Sequence, residues 1–210
     1  MKLYDYGAAP SPRRVRIFLA EKGLEIERIE VDLRTGQHLK PEFRALNPRG
    51  VVPVLQLDDG TCIDESIAIC RYFEELQPEP PLMGTDAKSK AMVDSWVRHA
   101  DFDGFLAVAD AFRNSTPAFA KAGLPGADEP VPAIEALVDR GHASITRYFN
   151  RLNQRLAESS YLAGDSYTAA DISALCVVDF AKWVKRTVPD THTDLLRWYA
   201  EVSARPSASA

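Results

Sequence analysis

The chain has 210 residues, 46% of them hydrophobic, which is enough apolar content for one large domain or two small ones, each with its own core. A formal net charge of −5 excludes the basic footprint that nucleic acid or an anionic membrane surface demands. Cys62, Cys70 and Cys176 form no CxxC pair and join no histidine cluster at metal-ligand spacing, so they read as reduced, mostly buried thiols with no metal.

A strand pattern begins at once at Lys2, with no charged-then-apolar leader before it and no stretch of membrane-spanning length anywhere. The expectation is a cytoplasmic protein. Residues 2–6 are short, aromatic and extended. Ser11-Pro12 then offers an N-cap followed by proline at the first helical position, which predicts a helix from Pro12. Val15, Phe18 and Leu19 lie on one face of it, and Lys22-Gly23 closes it with a cation and a glycine able to turn left-handed. Residues 25–32 have strand spacing at Ile29 and Val31. A polar loop through Gln37, His38 and Lys40 follows, and residues 41–46 make a short helix stopped by Asn47-Pro48.

Val51, Val52, Val54, Leu55 and Leu57 form a β-branched apolar run, Asp59-Gly60 turns it, and residues 61–63 resume the extended pattern, which predicts a hairpin. Pro53 lies inside that run and has no N–H for the ladder. An ordinary edge-strand proline is one account; the other, and the expectation here, is a cis Val52–Pro53 bond that leaves the main chain of Val52 facing a ligand. Residues 66–76 carry a helix pattern, so Ser66 falls in the first turn, where unpaired N–H groups and the helix dipole favour an anion. Asp64 or Ser66 acting as a plain helix cap fits the same residues.

The order β-α-β-α-β-β-α closes a small mixed sheet covered by helices on both faces, a thioredoxin-like layout. Where that fold often carries a redox CxxC, this chain reads Ala9-Pro10-Ser11-Pro12, which excludes dithiol chemistry there. Pro78-Glu79-Pro80-Pro81 breaks the pattern. Residues 1–78 are expected to be the first domain, 79–85 a linker and 86–210 an all-α domain. Helical patterns cover about 86–113, 133–158, 169–188 and 193–202, the third opened by a Thr168–Asp171 capping box. The Gly-, Pro- and Ala-rich connection 114–132 is longer than compact domains usually tolerate. Trp96, Phe102 and Phe105 read as core. His99, His142 and His192 lack partners at ligand or triad spacing, and Arg98, Asp101 and Asp103 line either a cleft, a dimer interface or a solvated face.

The run Val51–Leu55 with Glu65-Ser66-Ile67-Ala68-Ile69 resembles the ligand-binding half of the cytosolic glutathione S-transferase family, bacterial type. Tyr4, the 13–17 helix, Ala20–Leu24, Pro41-Glu42-Phe43, Leu46-Asn47-Pro48, Thr168–Asp171 and Ser203–Ser207 extend the resemblance, in order, over nearly the whole chain. It implies a thioredoxin-like domain followed by an all-α one, with glutathione as co-substrate, a small hydrophobic electrophile as acceptor near the 114–132 connection, and a homodimer. By the same resemblance Val52 and Pro53 present main-chain bonding to the cysteinyl portion. Glu65 and Ser66 hold the γ-glutamyl ammonium and carboxylate, and Gln37, His38 or Lys40 reach the glycyl carboxylate. Val51 stands where a lysine is frequent.

Family members with a serine or cysteine nucleophile-activating side chain place it about where Ala9 lies, so this chain departs from the pattern. Ser11 is the expected hydroxyl beside the sulfur, with Tyr6 the alternative and an N-cap role the rival account of Ser11. The function expected is conjugation of glutathione to electrophiles, or its use to reduce a peroxide or disulfide. A glutathione-binding module without chemistry and a purely structural subunit are the alternatives.

Overall fold

The computed structural model describes residues 1–127 and 129–210. The chain divides into two units: residues 1–80 together with Ser209–Ala210, and residues 81–208.

The first unit runs β1 (Lys2–Asp5), α1 (Pro10–Glu21), β2 (Glu27–Glu30), α2 (Pro41–Arg44), β3 (Val54–Gln56), β4 (Cys62–Asp64) and α3 (Ser66–Leu76). The sheet order is β2-β1-β3-β4, with β1 parallel to β2 and antiparallel to β3, and β3 antiparallel to β4. Register puts Tyr4 beside Val54 and Leu3 beside Leu55, so alternation separates two faces. On one, Val54 packs with Val31 and with Phe43 of α2, and Tyr4, Val52 and Cys62 join them. The opposite face carries Leu3 and Leu55, both fully buried, and Asp5, which Arg16 of α1 reaches. Helix α1 packs against α3. The thioredoxin-like layout expected from the element order is therefore present, helices on both faces included.

Local boundaries differ from the sequence reading for identifiable reasons. Helix α1 starts at Pro10 with Ala9 as its N-cap residue, and no side chain caps it, because the preceding turn is closed by the main chain: Ala9 N–H donates to Tyr6 C=O at 2.9 Å. Ser11 is thus the second helical residue and not the cap. The hairpin strand begins only at Val54, and the Val52–Pro53 bond is cis. Lys22 follows α1 as its C-cap residue, but its side chain serves a different helix end. The fully buried ammonium pairs with Glu74 at 2.5 Å and donates to the carbonyls of Gln77, Pro78 and Pro80, just beyond α3.

The second unit is helical: α4 (Ala87–His99), a π-helical stretch over Ala100–Phe105, α5 (Leu106–Ser115), α6 (Glu135–Glu158), α7 (Ala169–Ala181) and α8 (Thr193–Ser203). The pattern read as one helix over 86–113 is therefore interrupted by a π segment. Gly104 lies within that segment, where an added Cβ would come within 2.8 Å of Val177. The 169–188 pattern stops at Ala181, one 3₁₀ turn over Lys182–Val184 follows, and Lys185 takes a left-handed conformation, φ 58°. Helix α5 crosses α6 at Gly141, where a Cβ would lie 2.6 Å from the Ala107 carbonyl oxygen. Phe102, read as core, is 65% exposed, since the helix presents that face outward. Within the 114–132 connection Ala122 bridges Val131 and the Arg113 guanidinium donates to Ala122 C=O at 2.9 Å; Asp128 lies outside the described residues.

The capping box opening α7 is the best-buried polar feature of this unit. Thr168 caps the helix and Asp171 answers it. The Asp171 carboxylate also accepts from Leu162 N–H at 3.0 Å and from the Trp198 indole N–H at 2.9 Å. Burial pushes its pKa up to about 6 against the pull of these donors.

Candidate active site

The candidate residues of the first unit follow or flank the sheet end where Tyr4, Val54 and Asp64 stand in register. Val52 precedes the strand that pairs with β1, and among the described residues neither its N–H nor its C=O has a hydrogen-bond partner. A half-buried residue with both main-chain groups unpaired is set to extend a ladder to a bound peptide. Asn47 shapes the approach to it, accepting from Arg49 N–H and donating to Val51 C=O, each at 3.0 Å.

Next to this edge, β4 ends at Asp64 and Glu65 takes φ 65°, ψ 117°, a backbone conformation that costs a non-glycine residue roughly 1–3 kcal/mol. The turn it makes delivers Ser66 to the first position of α3. Ser66 is buried, and the N–H groups of Ser66 and Ile67 have no partner among the described residues. Unpaired N–H groups at a helix start favour a carboxylate. Glu65 gives the neighbouring anionic group, and Arg49 meets it: its guanidinium pairs with Glu65 and lies 3.7 Å from Asp64. That pairing raises the Arg49 pKa further. Sequence reading missed Arg49 because Glu65, its partner, is distant in the chain and only the hairpin brings the two together.

The expected glycyl-end residues lie in the loop and 3₁₀ turn Gln37–Leu39. Gly50, at φ 61°, packs against that turn, and a Cβ there would stand 3.0 Å from the His38 carbonyl oxygen. The turn is thus held beside the Val51–Val52 segment. His38 is half-buried and Lys40 exposed, while Gln37 uses its side-chain oxygen within its own loop, accepting from Asp32 N–H at 2.9 Å.

At the start of α1 the sequence Pro10-Ser11-Pro12 leaves an unusual pattern of donors. Prolines have no N–H, Arg13 N–H goes to Ala9 C=O, and the remaining orphan donor of the first turn is Ser11 N–H. The Ser11 hydroxyl is half-buried and likewise has no partner among the described residues. With the capping role gone to Ala9, both donors of Ser11 are free at the positive end of the helix. Tyr6, half-buried, lies one residue beyond the end of β1. Burial pushes the pKa of the Cys62 thiol up.

The thioredoxin-like unit thus carries three sets of unpaired groups among the described residues: the Val52 main chain, the α3 start with Glu65 beside it, and the hydroxyl and amide of Ser11 at the α1 start. The glutathione S-transferase N-terminal domain family matches residues 9–76, and the glutathione S-transferase C-terminal domain family matches residues 115–206. A curated Saccharomyces cerevisiae protein, "Glutathione S-transferase 2", is 36% identical, the match covering 99% of this chain and 87% of the yeast one. Among solved structures, a glutathione S-transferase domain-containing protein of Marinobacter aquaeolei VT8 has a TM-score of 0.89 at 36% identity, covering 99% of both chains. Gtt2 from Saccharomyces cerevisiae has a TM-score of 0.90 at 34% identity, covering 99% of this chain and 98% of that one. The chain belongs to the glutathione S-transferase family.

No helix among the described residues is long and apolar enough to cross a membrane.

Proposed function

We propose that this chain is a glutathione transferase: it binds glutathione in the cleft of the first unit, lowers the pKa of its thiol, and transfers the thiolate to a small apolar electrophile. The observation that carries this reading is the combination at one edge of an unpaired Val52 main chain with the Glu65–Ser66 helix start. Val52 pairs with the cysteinyl main chain of the tripeptide. Glu65 takes the γ-glutamyl ammonium, and Ser66 with the α3 N–H groups takes its carboxylate. His38, Lys40 and the Gln37 amide face the glycyl carboxylate. In domain terms, residues 1–78 bind glutathione, 79–85 link, and 86–210 form the helical domain that brings the acceptor.

Activation falls to Ser11. A thiol of pKa about 8.5 needs roughly 2.7 kcal/mol of preferential anion stabilisation to be ionised near pH 6.5. One hydroxyl, one main-chain N–H and the dipole of α1, all at a single residue, are of the right size and act in the same direction. The charge balance is simple: the thiol proton leaves to solvent, and the thiolate forms the new C–S bond as the electrophile's leaving group departs or, in addition to an activated double bond, as the neighbouring carbon takes up a proton. Attack of the same thiolate on a peroxide instead breaks the O–O bond, releasing an alkoxide or hydroxide and leaving a sulfenic acid, and attack on a disulfide breaks the S–S bond, releasing a thiolate and leaving a mixed disulfide.

Glutathione titrated calorimetrically, beside turnover with a chloronitroarene, tests the proposal. Micromolar to millimolar binding with saturable turnover is expected. Binding without turnover would favour a module that holds glutathione without chemistry, the reading that Ala9 at the usual serine or cysteine position supports. Absence of binding would favour a structural subunit. We further infer a cytoplasmic homodimer: Leu76, at the end of α3, is 56% exposed, and a second copy would cover it. Sedimentation at micromolar concentration checks this, and a monomer would overturn it.

A further inference from the structure

We propose that Arg16 is a positioning residue for the thiol-activating turn: through it, the Tyr6–Ala9 segment and the start of α1 are held in the geometry that presents Ser11. The inference rests on the reading that this unit activates a thiol, and it assigns a part to a residue that touches no ligand.

Arg16 lies on α1 and is buried. Each of its donor nitrogens has an oxygen partner within the first unit. One terminal nitrogen meets the Asp5 carboxylate at 2.7 Å, the other donates to Gly7 C=O at 2.8 Å, and Nε donates to Ala210 C=O at 3.1 Å. Asp5 is the last residue of β1 and its C=O accepts from Val31 N–H at 2.7 Å, so the carboxylate is fixed to the sheet. Gly7 is the first inner residue of the turn that Tyr6 C=O and Ala9 N–H close at 2.9 Å. The guanidinium therefore bolts the end of β1, the middle of the turn and the body of α1 together at one point.

That geometry matters because nothing else caps this helix. Ala9 provides no side-chain acceptor, and the two prolines remove main-chain donors that would otherwise anchor the first turn. The direction in which Ser11 presents its N–H and O–H depends on where the turn sets Ala9 and Pro10. A planar fork with three fixed acceptors can impose that direction, and a lysine ammonium, a single point of charge, can satisfy only part of the set. Oriented donors act on a developing anion in proportion to their alignment, and small displacements are costly.

The test uses the full chain with Arg16→Gln and Arg16→Lys, measuring glutathione affinity calorimetrically, the thiol pKa of the bound tripeptide from thiolate absorbance against pH, and kcat and KM with a chloronitroarene. Arg16→Gln is expected to raise the bound thiol's pKa by about one unit and lower kcat about tenfold at pH 6.5, with affinity changed less than about threefold. Arg16→Lys should fall between the two. If Arg16→Gln lowers the melting temperature while the bound thiol's pKa stays within about 0.2 units, Arg16 is structural only and the proposal is wrong. Should Arg16→Gln fail to fold, Asp5→Asn supplies the same readout: the guanidinium loses its anionic anchor, and an unchanged thiol pKa in that variant equally overturns the inference. Failure of the underlying reading looks different, because the unsubstituted protein would then bind no glutathione or leave its thiol pKa near the free value.

Discussion

The two units bury charge in opposite ways. In the first, two buried ionic groups meet opposite charges: Asp5 meets Arg16 at 2.7 Å, and Lys22 meets Glu74 at 2.5 Å plus three carbonyls. In the second, Asp171 is buried with no cation against it among the described residues, held by two main-chain N–H groups, a hydroxyl and an indole. Pairing sets opposite charges against each other and makes each partner costly to remove alone. Burial among neutral donors leaves the carboxylate to settle its own protonation, and its pKa rises to about 6. One device locks backbone segments through opposite charges; the other ties a helix start to its surroundings with a strength that pH can read.

The largest effect should come from breaking a pair. Lys22→Met leaves Glu74 and the carbonyls of Gln77, Pro78 and Pro80 without their ammonium, since the Lys22 side chain is 0% exposed. A loss of about 3–5 kcal/mol is expected in urea titration, and a loss below about 1 kcal/mol would show that the paired device is not what secures the end of α3.

Asp171→Asn comes second. An amide in place of the carboxylate gives up acceptor capacity and leaves buried donors unsatisfied, costing about 2–3 kcal/mol. The pH dependence carries the sign. The folded pKa is about 6 against an ordinary 3.8, so the stabilising proton uptake is fully present below about pH 3.8 and lost as pH rises through about 6. The deficit of the variant relative to the parent should therefore shrink, by up to about 3 kcal/mol, between pH 4 and 7. A deficit that grows over that interval would mean the carboxylate is ionised throughout.

Smaller effects come from the exposed pair that the first unit places at its cleft. Glu65→Gln should weaken glutathione binding about tenfold by calorimetry, as the γ-glutamyl ammonium loses a charged acceptor. Arg49→Gln should change it no more than about threefold, and less in high salt, because a solvent-exposed pair is worth well under 1 kcal/mol after screening. If Arg49→Gln outweighs Glu65→Gln, the assignment of the ammonium site to Glu65 falls.

What could be read from the chain itself followed period and punctuation. The strand-helix alternation to residue 76, the proline break after it, the Thr168–Asp171 box and the cis Val52–Pro53 bond all rest on neighbouring residues. Contacts made across the fold were not legible. Leu162 and Trp198 meet Asp171 only once α8 and the 159–164 turn are in place, Lys22 reaches carbonyls far along the chain, and Arg49 meets Glu65 through the hairpin. Ser11 misled in a more local way: Ser-Pro is a good N-cap pair, but the Tyr6–Ala9 turn leads straight into a helix that starts at Pro10 with Ala9 as its N-cap residue, which puts the serine inside the helix.

The Pro10-Ser11-Pro12 start has one more consequence, for observation. Between Ala9 and Arg13 the backbone carries a single exchangeable hydrogen, the amide of Ser11, flanked on both sides by residues that have none. The helix start thus bears its own isolated isotopic label, whose exchange rate and chemical shift report on that one position without overlap from either sequence neighbour.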